Sequence, residues 1–265
     1  MSKRTPEGPP PPPTVLRVRL RYTKRGRLRF TSHRDIARAF ERALRRAQVP
    51  MAYSAGFSPH PKISWVGAAP TGVASEAEYV ELGLAERVDL EQLRLALDDS
   101  LPVGIDVEEV VEAPTGTSLP DRIQASRWEI RLPGVDAADA LRAGAAFLAA
   151  AEVPVERLTK NGMRTLDARA AVVSLRVEDA PCAILHLVVR HVTPAVRPDD
   201  VLSGLRSVAD LVPPVPPEAT RYAQGPLTEN GEVGDPLAPD RLEPEPAGAT
   251  RQDADRDEAV AGSPT

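Results

Sequence analysis

Cysteine is nearly missing from this 265-residue chain, with Cys182 standing alone. No internal disulfide can form, and an iron–sulfur cluster or a cysteine-rich zinc site needs several thiolates that the chain does not supply. The reading is therefore of no cofactor and no metal held in this chain, with any redox chemistry coming from a partner. Lysine is scarce too, four of the 33 basic residues, and aromatic side chains make up only 4%. No apolar run approaches the roughly 18 residues that cross a bilayer, and the start, "MSKRTPEGPPPPP", has no apolar signal core. A cytoplasmic protein with no membrane contact is expected.

Arginine and proline are what the chain has in quantity. The formal net charge of −5 conceals an asymmetry: residues 1–62 hold 15 of the 33 Lys and Arg against three acids, Glu7, Asp35 and Glu41, which leaves 18 basic and 35 acidic residues for the remainder. The first quarter is an electropositive surface of the kind that meets phosphates or an acidic protein face. With 42% hydrophobic residues the chain can bury a core of one or two domains. Both ends read as unstructured, residues 1–13 as a proline-rich lead and 229–265 as an acidic, Pro- and Gly-rich tail, with "TRYAQGPL" (220–227) the last stretch able to dock.

Between the ends, hydrophobic periodicity repeats one plan. Residues 15–22 alternate as a strand, 34–48 carry helical spacing, 62–66 and 77–84 read as strands, 89–100 as a helix and 105–113 as a strand. A second round follows: strand 127–134, helix 136–152, strand 153–159 turning at Asn161-Gly162, strands within 166–179 and 182–191, and a helix at 197–210. The order β-α-β-β-α-β is the ferredoxin-like plan. The expected fold is α+β, two tandem ferredoxin-like domains at 14–114 and 115–228.

The first helix and the loop after it carry the candidate site. In "TSHRD", Ser32 caps the helix and Asp35 completes a capping box. At 100° per residue Ile36, Phe40, Ala43, Leu44 and Ala47 share one face, and Arg34, Arg38, Arg42 and Arg45 the other. Such a stripe repels itself in isolation and suits bidentate phosphate contacts. The loop "YSAGFSPHPK" (53–62) then offers Tyr53 and Phe57 for stacking on unpaired bases, Gly56 for a turn, and His60 and Lys62 held between and after two prolines. Ser32-His33 at the helix start and His60 are read as facing one anion pocket, with Arg38, Lys62 and the helix amides as donors, and Arg42 and Arg45 extend the anion- or RNA-binding set. Asp35, Glu76, Glu78 and Tyr79 are supporting residues, the two glutamates salt-linked to Arg38 or Lys62. His186 reads as a packed strand residue, and neither it nor His191 has zinc-ligand spacing.

The block "RGRLRFTSHRDIARAFERALRRAQVPMAYSAGFSPHPKISWVGAAPTGVASEAEYVEL" resembles the signature region of the radical-SAM-linked family of unknown function, and "VPVERLTKNGMRTLDARAAV" and "RPDDVL" are similar to that family's second half. Arg34 stands where the family usually has leucine, Ala55 where it has glutamine and Ser58 where it has asparagine. The resemblance implies as partner a radical SAM protein with a cobalamin-binding module.

Three functions fit these readings. One is a non-catalytic RNA-binding or substrate-presenting accessory module for a separate radical SAM enzyme. Another is a metal-independent endoribonuclease in which His33, His60, Tyr53 and Lys62 supply acid, base and phosphate stabilisation. The third is a protein–protein scaffold.

Overall fold

The computed structural model describes residues 11–159 and 162–241. In order it contains β1 (Leu16–Lys24), α1 (His33–Arg46), β2 (Ile63–Val66), β3 (Ala74–Leu84), α2 (Leu90–Ser100), β4 (Val107–Glu112), the single turn α3 (Leu119–Arg122), β5 (Ala125–Leu132), α4 (Ala137–Ala149), β6 (Pro154–Thr159), β7 (Gly162–Asp167), the single turn α5 (Ala168–Ala171), β8 (Val172–Glu178), β9 (Ala183–Arg190), α6 (Pro198–Ala209) and β10 (Glu218–Gly225). Among the described residues no helix is long and apolar enough to cross a membrane.

Most elements lie within a few residues of their expected places, because their apolar spacing is regular and their ends are capped. Ser32, Asp89 and Asp136 each accept a bond from a backbone amide in the first turn of α1, α2 and α4. The arrangement of the strands is a different matter. Eight strands join into one mixed sheet in the order β4-β1-β3-β10-β5-β9-β8, with β2 also on β3. The β6–β7 hairpin stands apart; Asn161, expected to close it, lies outside the described residues. The first half of the chain thus gives β4-β1-β3-β2 and the second β10-β5-β9-β8, but the two halves are not separate sheets. The edge of β3 is shared along its length: β2 takes Tyr79 to Leu82, and β10 pairs in parallel at Ala74 and Ser75 while running antiparallel to β5.

One face of each half is covered by helices. Leu16, Val18, Leu20 and Tyr22 of β1 pack with Ile36, Phe40 and Leu44 of α1 and Leu93 and Leu97 of α2. Trp128, Ile130 and Leu132 of β5 pack with Phe147 of α4 and Val201 and Leu205 of α6. A smaller cluster on the other face of the first half joins Ala77, Tyr79 and Val111 to Leu119, Ile123 and Leu237.

That last cluster corrects the expected tail. Residues 229–241, read as unstructured, form a strap across the back of the first half; residues 242–265 lie outside the described residues, as do 1–10 of the lead, and Pro11–Pro13 form no regular element. The strap leaves β10 through a close backbone approach, where a Cβ on Gly225 would stand 2.1 Å from the Gly234 carbonyl oxygen. It ends with Asp240 buried against Arg19, Nη1 to Oδ2 2.7 Å, and against Arg122 at 2.9 Å. Arg241 forks onto Glu109 at 2.7 and 2.8 Å. Acidic, apolar-poor composition reads as solvated chain, yet these acids complete the ion pairs of arginines on the sheet.

Arg19 is wholly buried and Asp240 is one of its two carboxylate partners, the other being Glu81 at 3.0 Å, so removing Asp240 leaves the guanidinium only partly compensated. Asp240→Ala should therefore lower the urea unfolding free energy by about 1–3 kcal/mol. Asp139→Ala, which loses an exposed pair with Arg142, should stay within about 0.5 kcal/mol in the same titration.

Candidate functional site

α1 begins as its sequence dictates. Ser32 Oγ accepts from the Asp35 amide at 3.3 Å and donates to the Asp35 carboxylate at 2.6 Å. Ile36, Ala39, Phe40, Ala43 and Leu44 are buried, and Arg34, Arg38, Arg42 and Arg45 are exposed. Their charges are hardly neutralised: Arg38 reaches Asp35 at 3.6 Å, and among the described residues Arg34, Arg42 and Arg45 pair with no carboxylate. Several arginines on the sheet and its loops differ. Arg25 meets Glu76, Asp106 and Glu108, Arg157 meets Asp200, and Arg221 meets Glu78. The row from Arg34 to Arg45 runs about 16 Å along the helix.

The loop rises from the other end of α1. After the C-cap at Ala47, Met51 bridges Leu84 and Ala52 donates to the Gly83 carbonyl, so the chain returns onto β3 at once. Tyr53 bridges Pro61, and Ser54 and His60 close the loop base: the Ser54 amide donates to the His60 carbonyl at 2.8 Å and the His60 amide to Ser54 Oγ at 3.0 Å. Gly56 sits at φ 141° with open space around its Cα. Its role is the backbone angle rather than a close approach. Phe57 at the tip is 70% exposed.

Between this loop and the last turns of α1 lies an open cleft of about 480 Å³. Glu41, Arg45 and Gln48 line it from the helix side, and Tyr53, His60 and the two prolines from the loop side. His33 is elsewhere. Its ring stands edge-on to Trp65 at 5.2 Å, and Trp65 meets Phe40 at 5.1 Å. His33 lies about 18 Å along the helix axis from Arg45. The expectation that His33 and His60 share a pocket is corrected: the loop follows the helix C-terminus, and the first histidine is the opening residue at its N-terminus. Lys62 also turns away, donating to Thr14 Oγ1 at 2.8 Å beside Arg17 and Glu81.

Glu76 and Glu78 are corrected likewise. Glu76 pairs with Arg25, and buried Glu78 pairs with Arg221 and accepts the Ala69 amide at 3.0 Å. Neither meets Arg38 or Lys62. Tyr79 is buried beneath the strap, where loss of solvent pushes its phenol pKa up. Around Glu78, sequence reasoning missed a polar cluster: Arg221 reaches Ser75 Oγ at 3.3 Å and lies over Trp128, and Lys24 donates to the Pro70 carbonyl at 3.1 Å. Burial lowers the Lys24 ammonium pKa. Arg221 could be placed there only with β10 known as a strand.

Of the other histidines, His186 bonds Glu178 at 2.8 Å on the outer sheet face. His191 lies between Ser126 Oγ at 2.7 Å and the Ile123 carbonyl at 3.1 Å. Among the described residues no three His, Cys, Asp or Glu side chains stand together as metal ligands.

These features define a mixed α/β protein with one fused sheet, whose first helix carries an unneutralised basic row ending at a loop-walled cleft. The chain belongs to the family described as uncharacterized protein conserved in bacteria (DUF2344), which matches residues 17–198. No curated protein matches it.

Burial depresses the His191 pKa below its ordinary 6.5, with the hydrogen bond to Ile123 acting in the opposite direction. The unfolded chain therefore binds a proton at a higher pH than the folded one, and His191 makes stability fall as pH drops below about 6.5. His191→Gln should flatten the dependence of unfolding free energy on pH between about 5 and 7, measured by urea titration at each pH.

Proposed function

We propose that this chain is a non-catalytic accessory module that binds single-stranded RNA along the arginine row of α1. The observation that carries the reading is the row itself: the buried guanidiniums of Arg19 and Arg221 are each met by a carboxylate, whereas Arg34, Arg42 and Arg45 face solvent along one helix face without one. A folded chain gains nothing from three exposed like charges in one row, and a phosphate backbone supplies the missing anions. Exposed Phe57 and half-exposed Tyr53 beyond the end of the row offer faces for unpaired bases.

The strand orders β4-β1-β3-β2 and β10-β5-β9-β8 support reading the chain as two ferredoxin-like units fused edge to edge. In the first unit the open sheet face, a common RNA platform in such folds, lies under the strap, which leaves the helix side for the ligand. The separation of His33 from the His60 cleft leaves a ribonuclease reading without its acid–base pair. The partner remains a radical SAM protein with a cobalamin-binding module, as the sequence resemblance implies.

Fluorescence anisotropy with a labelled single-stranded oligoribonucleotide tests the binding. Arg34→Glu/Arg42→Glu/Arg45→Glu should weaken affinity at least tenfold and shrink the slope of log K against log salt by about 2, at roughly 0.7 per lost phosphate contact. Thermal stability should stay within about 1 kcal/mol of the parent. Equal affinity of variant and parent at low salt would overturn the reading. Anaerobic affinity purification from native cells tests the partner: a cluster-bearing radical SAM protein should co-elute.

A further inference from the structure

We propose that the cleft between α1 and the 53–61 loop is a pocket for one unpaired nucleobase, the place where the strand lying along the arginine row is gripped by a base as well as by its phosphates. The inference rests on the RNA-binding reading and adds to it a chemically distinct site.

A row of guanidiniums on an exposed helix needs no concavity, yet the row ends at one. Arg45 belongs to both. At about 480 Å³ the cleft is within the size range of small-ligand sites. Its floor is apolar, from Leu44, Val49 and Met51. Its loop wall offers flat surfaces, the Tyr53 ring and the faces of Pro59 and Pro61, and base stacking on an aromatic face is sequence-tolerant.

The rim is polar and uncommitted. Glu41 and Arg45 stand four residues apart on one helix, a spacing that often pairs, yet no ion pair joins them. Gln48 takes φ 52°, the left-handed region disfavoured for a residue with a Cβ, which sets it just past the last turn of α1. Its amide can donate and accept along one base edge, Glu41 can accept from an exocyclic amine, and Arg45 can reach a ring acceptor or the adjoining phosphate. The opposite wall is stiffened by two prolines and by the Ser54–His60 bonds at the loop base. A pre-formed slot loses less entropy on filling.

Two arms of one experiment test the pocket. In the first, the amide NMR spectrum is titrated with the four nucleoside 5′-monophosphates and with ribose 5-phosphate. At least one nucleotide should give saturable shifts centred on Gln48, Tyr53 and His60, and ribose 5-phosphate none. Gln48→Gly, which keeps the backbone angle comfortable, and Tyr53→Ala should each remove the nucleotide response. In the second, anisotropy compares a single-stranded oligoribonucleotide with an abasic oligomer of equal length. The parent should prefer the natural strand by about fivefold or more, on the order expected for one stacked base, and both variants should abolish that preference while binding the abasic oligomer as the parent does.

Absence of nucleotide shifts, equal shifts from ribose 5-phosphate, or variants that keep the preference would overturn the pocket while leaving the arginine row standing. Nucleotide shifts at the cleft with no binding of either oligomer would keep the pocket and overturn the row.

Discussion

The structure depends on one strand, β10, being held between β3 and β5, and on the buried pair that forms where it lies. Arg221 projects from β10 to Glu78 and Ser75 of β3 and rests on Trp128 of β5. Two charges so far out of water are tolerated because each has a partner and further hydrogen bonds. Gln224 adds a bond to the Ala77 carbonyl at 2.6 Å across the same junction. Apolar packing would hold two sheets together in many registers, but a buried guanidinium and carboxylate fit in one. The seam thereby sets the two halves as one sheet and places the start of β3, with the loops around Pro70, on a fixed base.

The strap extends the same principle to the back of the sheet. β1 presents arginines on the face away from α1, a poor surface for a core. The chain covers Arg19 with Asp240 and the Thr117 carbonyl, while Glu81 reaches its Nε from β3. Acidity at the end of the described chain and basicity at its start are thus partly one network, met in the fold rather than in sequence. A contiguous row of uncancelled positive charge lies on α1, whose outer face no acidic segment of the described chain covers. The site follows from this imbalance: carboxylates are placed wherever an arginine must be buried and are sparse where the helix meets water.

Chemical character at the cleft has a local cause. The chain turns out of α1 through Gln48 and returns at once to the edge of β3, so the loop folds back beside the final turns of the helix that precedes it. Helix side chains four apart and a proline-stiffened wall then face each other with no further element needed. At the opposite end of α1, exposed His33 rests edge-on against half-buried Trp65, which gives the first histidine a packing contact at the helix start.

Sequence alone determined what depends on near neighbours. The caps at Ser32, Asp89 and Asp136, the buried and basic faces of α1, the turn at Gly56 and the succession of strands and helices all follow from spacing within about ten residues, where side-chain chemistry and backbone geometry act directly. Tertiary structure decided what depends on partners far apart. "EATRYAQG" has no strong apolar alternation and lies in Pro- and acid-rich surroundings, so β10 becomes a strand only because β3 and β5 offer it two ladders. Asp240 and Arg19 are 221 residues apart, and Glu78 meets Arg221 rather than Arg38 or Lys62. Ion pairs carry no sequence period, since any acid can satisfy any arginine until the fold brings one of them within reach.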